Sequence, residues 1–485
     1  MYRLYLIILV FTIVIGCTDK ARTEHQVADI QEAYDKGNLT NATNWSHDLI
    51  SMGNVDTLTI NKVGLILDMC NRIESDFTLT EADVNKLLKR EYISYTQAER
   101  DQWERNNWLE FMIIDGTKHY FKRAVSNLKL ILQSRIRQVK PINNPDPQSV
   151  FCLNHSRMVI EKSRQNNQPV LPVKMKLSYK ITVNADAVPE GEIIRCWLPW
   201  PHENTQRQEK ITLMRTVPTE NIIAPDTVLQ RSIYLEKKSS KGKPTVFELQ
   251  FEYVSMAQYF DLKKSNILPY DTSQTVYKKY TAEQYPQIRF TKEIKYLSDS
   301  IIQGVTEPAE KVKRIYYWIN NHVIWTGALE YSIIPYIAGY VLKNRRGDCG
   351  MQTLLFMSMA RYQHIPVKWQ SGWMMHPNEV NLHDWCEVYY NGIGWVPLDM
   401  SFNLQKSNDV REREFYISGI DSYRLIINEG IGSPLVPHKI FPRSEPYDFQ
   451  RGEVEWKKGN LYFNQWDYKM TVSYNQTSTN DKSIY

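Results

Sequence analysis

Apolar and polar positions alternate with a period of two in two stretches of the chain. Between Val173 and Val183 every second side chain is apolar, and lysine, serine and threonine stand between them. From 247 to 253, phenylalanine, leucine and tyrosine alternate with glutamate and glutamine. This alternation is typical of a strand with one buried face. Because turn-forming residues at 239–244 separate the two stretches, 173–262 predicts an antiparallel β-sandwich domain.

Helical spacing of apolar positions occurs on both sides of that segment. The residues at 18–138 predict a helical N-terminal region, since Phe121, Val125, Leu128 and Leu132 recur on one helical face. Five prolines in 139–172 predict a linker, with a short helix possible inside it.

The segment after the predicted sandwich has a mixed pattern. Helical spacing at 307–323 and 335–342, followed by strand-like alternation, makes 263–425 a mixed α+β core. Residues 426–485 predict a C-terminal β-rich segment that ends in a polar tail. The whole chain therefore predicts a multi-domain α+β protein.

The first seventeen residues have the features of a secretory signal. Arg3 is followed by an apolar run from Leu4 to Ile15, which is too short to span a bilayer comfortably. Gly16 then precedes Cys17, a pairing that resembles the lipobox of bacterial lipoproteins. The resemblance implies a signal peptide at 1–17, a lipid on Cys17 and a mature chain tethered to a membrane outside the cytoplasm. The alternatives are a plain signal peptide and an uncleaved anchor.

Composition places the chain among ordinary globular proteins. Of its 485 residues, 42% are hydrophobic and 23% charged, and the net charge is +5. No basic run alternates with aromatic residues, so we expect no nucleic-acid partner.

A cysteine stands at a predicted helix start. Gly347-Asp348-Cys349-Gly350 precedes an apolar run without further glycine or proline, and Asp348 is a candidate helix cap. The helix dipole and free N–H groups at such a position favour a thiolate and can hold an oxyanion. Trp325 is a weak candidate for a second substrate or oxyanion contact.

A histidine and an aspartate follow on two predicted strands. Alternation places His383 on the face opposite Asp384 and Cys386, which argues against Cys386 as nucleophile. The returning strand ends at Asp399. A two-residue turn would put Asp399 on the wrong face, so a Cys349–His383–Asp399 site requires an odd loop or bulge at 392–394.

The spacing of the remaining cysteines does not indicate a disulfide pattern. Cys70, Cys152, Cys196 and Cys386 could pair as disulfides or remain buried thiols. The chain has no Cys-x-x-Cys or His-Glu-x-x-His motif, so we expect neither metal nor cofactor. A zinc site at Cys349, His383 and Asp399 is a much weaker alternative.

These motifs together resemble one protein family. Gly347 to Gly350, His364-Ile365-Pro366-Val367, His383-x-Trp385-x-Glu387 and Gly394-Trp395-Val396-x-Leu398-Asp399 resemble the transglutaminase-like core, which has a papain-like fold. The resemblance implies Cys349 as nucleophile, His383 as base, Asp399 as the orienting acid, and Trp385 and Trp395 as structural aromatics. Met400 departs from the proline that the family often has.

The resemblance implies a cysteine enzyme of acyl transfer. Hydrolysis of an amide or peptide bond in a peptide, protein or cell-wall substrate is the first hypothesis, and protein-glutamine cross-linking is the second. A catalytically silent binding or scaffold protein of the cell envelope is a third. With the anchor at Cys17, any of these would act on the periplasmic or cell-surface side.

Overall fold

The computed structural model describes residues 26–53, 55–139, 146–163, 167–203 and 205–475. The signal segment with Cys17 and the polar tail after 475 lie outside these residues. The chain divides into two compact units, Met1–Gln133 and Ser134–Tyr485. Within the described ranges, no helix is long and apolar enough to cross a membrane.

The first unit is mainly helical, as its apolar spacing predicts. Two of its helices begin with capping boxes, in which Thr80 pairs with Asp83 and Thr96 with Glu99. Its elements are α1 at 26–35, α2 Leu39–Ser51, α3 Thr57–Asp76, α4 Glu81–Arg90, α5 Gln97–Arg105, β1 Phe111–Ile114, β2 Thr117–Tyr120 and α6 Ala124–Val139, which runs past the division.

The hairpin of β1 and β2 was not predicted. Its strands pair from Phe111 with Tyr120 to Ile114 with Thr117. The two residues between them, Asp115 and Gly116, both have a positive φ, the geometry of a tight hairpin turn. The sequence signal was therefore present as an Asp-Gly pair inside a stretch otherwise rich in helix formers.

The second unit contains the predicted sandwich. One sheet consists of β3 Val170–Val183, β5 Gln208–Val217, β8 Thr245–Tyr259, β14 Gly419–Ile420 and β18 Trp466–Asn475. The other consists of β4 Ile193–Pro199, β6 Ile222–Ile223, β7 Ser232–Lys238, β16 Glu453–Trp456 and β17 Gly459–Leu461. The alternating side chains of β3 and β8 are buried between them, as the period of two requires.

Strands from the C-terminal part of the chain complete both sheets. β18 pairs with β3 over ten positions, and β16 pairs with β4. Helix α7, Pro147–Lys162, occupies nearly half of the predicted linker.

The α+β core is built around a four-stranded antiparallel sheet in the order β13-β12-β11-β15. These strands are β11 Val367–His376, β12 Glu379–Tyr390, β13 Gly394–Leu398 and β15 Arg424–Asn428. The remaining elements are α8 Thr275–Thr281, α9 Lys292–Ile302, α10 Pro308–His322, β9 Ile324–Trp325, a 3₁₀ turn Tyr331–Ile333, α11 Ile337–Asn344, β10 Arg346–Gly347, α12 Cys349–Tyr362, α13 Val410–Arg413 and α14 Phe415–Ser418.

The core sheet shares a hydrophobic core with the sandwich. Trp373 and Met375 of β11 lie in one buried cluster with Tyr179 and Phe251 of the sandwich strands. This shared core packs β11, and with it the neighbouring β12, against the sandwich.

Candidate active site

Cys349 is the first residue of α12, as predicted. Asp348 is the N-cap, and its Oδ1 accepts a hydrogen bond of 3.1 Å from the backbone N–H of Met351. Every side chain of α12 from Cys349 to Arg361 is buried, so this helix lies inside the domain. Cys349 itself is 8% exposed. The fold therefore places the thiol at a helix start with little access to water.

The turn between β12 and β13 has the odd length that the site requires. Tyr390 pairs with Gly394, which leaves three residues in the loop. Gly394 has a φ of +100° there, a conformation that favours glycine. The register continues to Cys386 opposite Leu398, so Asp399 follows on the face of His383.

His383 and Asp399 form a direct hydrogen bond. The distance from His383 Nε2 to Asp399 Oδ2 is 2.7 Å, and both side chains are buried. Although burial raises the pKa of the Asp399 carboxyl, the charges of His383 and Arg424 lower it below its ordinary value. An ionised Asp399 can thus orient the imidazole with its Nδ1 directed away from the carboxylate.

The thiol of Cys349 has a different partner. Its Sγ donates to Asp384 Oδ2 at 3.6 Å. Within the described part of the chain, no hydrogen bond joins Cys349 to His383. Because alternation puts Asp384 and His383 on opposite faces of β12, the sulfur contacts the face opposite the imidazole. The structure brings His383 and Asp399 together and leaves Cys349 outside their hydrogen bond.

The surroundings of the sulfur oppose ionisation. Burial raises the pKa of the Cys349 thiol well above its ordinary value, and the negative charges of Asp384 and Asp348 raise it further. Burial also raises the pKa of Asp384, with Asp448 and Asp348 adding to the effect. Desolvation and the nearby carboxylates thus act against the thiolate that a helix start favours.

Gly350 makes the close approach of helix and strand possible. A Cβ at this position would lie 2.3 Å from the Tyr331 hydroxyl oxygen and 2.5 Å from Asp384 Oδ2. The sequence marks Gly350 only as a neighbour of the candidate nucleophile Cys349, and its packing role becomes visible in the fold.

A distant residue that the sequence did not indicate also joins this region. Gln450 Nε2 donates to the backbone carbonyl of His383 at 2.9 Å and to Asp384 Oδ1 at 2.7 Å. Gln450 is buried and its own backbone carbonyl accepts from Trp373 Nε1. The C-terminal segment therefore fixes the middle of β12 from outside the predicted core.

The two tryptophans of the motif have different environments. Trp385 is fully buried and stacks on His383 with ring centroids 6.0 Å apart. Trp395 packs edge-on against Tyr280 and Tyr389. Both positions suit the structural role that the family resemblance implies.

Trp325 lies close to Cys349 along the fold. It belongs to β9, which pairs in parallel with β10 and places Trp325 opposite Gly347. Its side chain is 42% exposed. A substrate contact at Trp325 stays a prediction.

The other cysteines are free thiols. Cys70, Cys152, Cys196 and Cys386 are all buried and unpaired by disulfides. Cys386 lies on the face of β12 opposite His383, as alternation predicts. Among the residues that the structure describes, no three His, Cys, Asp or Glu side chains form a metal-binding group, so the zinc alternative has no ligand set there.

A large cavity opens on the face of the core sheet that carries His383. Its volume is about 930 Å³, and its wall includes Arg207, Gln370, Glu387 and Trp395. Gln370 Oε1 accepts from Trp385 Nε1 at 2.8 Å. Trp385 thus separates this cavity from the imidazole.

One family model matches the part of the chain that contains this site. Residues 295–400 match the transglutaminase-like superfamily, a range that contains Cys349, His383 and Asp399. The chain thus contains a transglutaminase-like core. No curated protein matches the chain.

Three solved structures are similar to parts of the chain. A candidate cysteine protease from Cytophaga hutchinsonii is 15% identical, with 64% of this chain and 92% of that one covered and a TM-score of 0.44. The periplasmic domain of TgpA from Pseudomonas aeruginosa is 12% identical, with 51% and 90% covered and a TM-score of 0.24. A candidate protease from Parabacteroides distasonis is 11% identical, with 54% and 46% covered and a TM-score of 0.21.

Proposed function

We propose that this protein is a cysteine hydrolase of the cell envelope that cleaves an amide or peptide bond through a thioester on Cys349. The transglutaminase-like match at 295–400 supports cysteine-based acyl transfer at the level of the superfamily. The observation that carries the proposal is the 2.7 Å hydrogen bond between His383 and Asp399, in a fold that also places Cys349 at the start of α12 with its thiol on Asp384, the neighbour of His383. This combination supplies a base, its orienting acid and a nucleophile.

The proposed reaction has two steps. His383 takes the proton of the Cys349 thiol, and the sulfur attacks the carbonyl carbon of the substrate. The C–N bond then breaks, and the imidazolium gives its proton to the leaving amine. In the second step a water molecule gives a proton to His383 and attacks the thioester carbonyl. The C–S bond then breaks, the imidazolium of His383 returns the proton to the sulfur, and the carboxylic acid leaves with the Cys349 thiol restored.

The first step requires the sulfur to leave Asp384, whose side chain lies on the face of β12 opposite His383, and to come within hydrogen-bond reach of the imidazole. The thiol is carried on a single rotatable bond, so a change of the Cys349 rotamer can break the 3.6 Å contact with Asp384. Substrate binding that displaces this contact would also remove water from the sulfur. We therefore interpret the structure as a resting state in which the nucleophile is protonated.

The location outside the cytoplasm belongs to the same proposal. It rests on the apolar leader and on Cys17 as the lipid-bearing residue. Cys17→Ser is expected to release the protein from the membrane fraction and to abolish labelling by a fatty-acid analogue. Unchanged fractionation and labelling of this variant would contradict the lipid anchor.

An active-site thiol probe tests the catalytic proposal. Wild-type protein, Cys349→Ala and Cys386→Ser would be labelled with a peptide-based electrophile and then assayed on peptides and cell-wall fragments, with and without an amine acceptor. We expect labelling and amide hydrolysis in wild type and Cys386→Ser, and neither in Cys349→Ala. Product that carries the added amine instead of a free carboxylate would favour cross-linking.

One observation favours a second candidate function. The buried thiol that donates to Asp384 is also what a catalytically silent envelope binding protein would contain. For such a protein we expect Cys349 to react no faster than a free thiol at neutral pH, and substrate fragments to bind without turnover.

A further inference from the structure

Asp399 has a second cationic partner besides His383. Arg424 Nη1 donates to Asp399 Oδ2 at 2.8 Å, the same oxygen that accepts from His383 Nε2 at 2.7 Å. The other oxygen, Oδ1, accepts from the backbone N–H and the hydroxyl of Ser401, both at 3.2 Å. Both oxygens of the orienting carboxylate are therefore held by donors.

Arg424 is itself held in place on three sides. Its Nε and Nη2 donate to Asp421 Oδ2 at 3.0 and 2.6 Å. Its guanidinium lies over the rings of Phe402 and Trp385, with centroids 4.7 and 5.5 Å away. Because Arg424 is only 3% exposed, this position is determined by packing and not by solvent.

Asp421 connects Arg424 and Asp399 to His376 at the end of the neighbouring strand β11. Its Oδ1 lies 2.9 Å from His376 Nε2 and accepts from the backbone N–H of Tyr423 at 2.9 Å. The result is a continuous buried series from His383 through Asp399, Arg424 and Asp421 to His376. It lies along the sheet face that carries the imidazole.

A cation is needed here because of the burial of Asp399. The carboxylate is 0% exposed, and an isolated buried charge of this kind costs several kcal/mol. In the proposed reaction His383 must be neutral when it takes the thiol proton, so it cannot neutralise Asp399 at that stage. Arg424 carries its charge at every stage because arginine does not release its proton in proteins.

We propose that Arg424 is a positioning residue of this site, which keeps Asp399 ionised and aimed at His383 while the imidazole is neutral. This inference rests on the proposed function, because His383 has to be neutral only if it takes the proton of the Cys349 thiol. Arg424 also draws on the charge of Asp399, so the imidazolium is stabilised less than by an unshared carboxylate. The histidine can then return its proton to the leaving amine more readily.

The charged and titratable groups around His383 set the expected signs. On its own face these are Asp399, Arg424, Asp421 and His376. Across β12 they are Asp384 and its partner Cys349. Loss of the Arg424 charge is expected to favour the imidazolium form of His383. Loss of Asp421 is expected to disfavour that form, because the positive charge of Arg424 then acts on Asp399 alone.

Imidazole titration by NMR of full-length protein labelled at histidine tests this proposal. The His383 signals would be assigned with His383→Gln. Arg424→Met is expected to raise the titration midpoint of His383 by about one pH unit or more. Arg424→Lys, which keeps the charge, is expected to stay closer to wild type. Asp421→Asn is expected to move the midpoint in the opposite direction.

A matched control is available on the same sheet face. Arg207 is also buried and donates to Glu387 at 2.8 Å, and Glu387 has a second partner in Lys368. Arg207→Met is expected to leave the His383 midpoint unchanged. Equal shifts in Arg207→Met and Arg424→Met would overturn the proposal, as would an unmoved midpoint in Arg424→Met.

The near-isosteric Asp421→Asn keeps the proposal testable if Arg424→Met does not fold. A midpoint that rises or stays constant in Asp421→Asn would also overturn it. Alkylation of Cys349 in the wild type is measured separately. A failure of that reaction counts against the proposed function, whereas the histidine titration still decides the role of Arg424.

Discussion

Asp384→Asn is expected to make the Cys349 thiol more reactive at neutral pH, because it removes a carboxylate from beside the sulfur. Asp384 Oδ2 lies 3.6 Å from Cys349 Sγ, and both residues are buried. A carboxyl group ordinarily releases its proton roughly four to five pH units below a thiol. Burial and neighbouring carboxylates raise the pKa of Asp384 as well as that of Cys349, so the thiol loses its proton beside a carboxylate whose charge, once Asp384 is ionised, opposes a thiolate.

The size of the effect follows from the distance. Two unit charges 3.6 Å apart interact by about 4.6 kcal/mol at an effective dielectric constant of about 20. At about 1.36 kcal/mol per factor of ten, this sets an upper limit of about a thousandfold on the effect of removing the charge. Because Asp348 remains and the amide still accepts a hydrogen bond, we expect at least about a tenfold faster reaction at pH 7, or one pH unit.

Iodoacetamide labelling across pH 5–10, with the Cys349 peptide quantified by mass spectrometry, measures this effect. Glu387→Gln is the matched control, since Glu387 is a buried carboxylate on the same strand that pairs with Arg207 and Lys368. We expect the pH–rate curve of Asp384→Asn to move to lower pH and that of the control to stay in place. A rate in Asp384→Asn that equals or falls below wild type would refute this account of the thiol.

Three further outcomes are expected. Cys386→Ser should keep the labelling of Cys349, as read from the same peptide map, because Cys349 is the proposed reactive thiol and serine replaces the buried Cys386 with little change in volume; loss of labelling in a folded Cys386→Ser would contradict that assignment. Gly372→Ala should destabilise the protein by more than about 2 kcal/mol in urea unfolding, since its Cβ would lie 1.9 Å from the backbone carbonyl oxygen of Leu425; an unchanged midpoint would show that β11 and β15 can separate there. Although burial raises the pKa of Asp421, Arg424 and His376 lower it well below its ordinary value. The stabilisation from Asp421 should therefore be complete above about pH 4 and decrease as the pH falls through the lowered pKa. The difference in unfolding free energy between wild type and Asp421→Asn should shrink below that pH, and a constant difference would contradict the assignment.

The elements that local patterns specify were predictable. The period of two in β3 and β8 reflects burial of one face, which is a local property of the strand. The odd loop between β12 and β13 was predictable for a similar reason. Whether the loop has an odd or an even number of residues decides whether Asp399 can share a face with His383. The pairing of Tyr390 with Gly394 leaves an odd number, as the shared face requires.

Contacts between distant parts of the chain were not predictable. β18 pairs with β3 although nearly 300 positions separate them, and no local pattern names the partner of an alternating strand. Arg424 and Gln450 reach the site in the same way, from strands and turns beyond the recognised motif. The sequence of an apolar strand that contains one arginine does not indicate which carboxylate that arginine will contact in the fold.

The state of the nucleophile shows most clearly what a motif leaves open. Residue order and a helix start predicted a thiolate at Cys349, and both features are present. The pKa of a thiol depends, however, on all charges within a few ångströms and on the water excluded from it. Here the same close packing that Gly350 permits brings Asp384 to the sulfur, so the residue beside the proposed base opposes ionisation. The proposed reaction therefore requires substrate binding to displace Asp384 from the sulfur, because the thiol that donates to Asp384 keeps its proton.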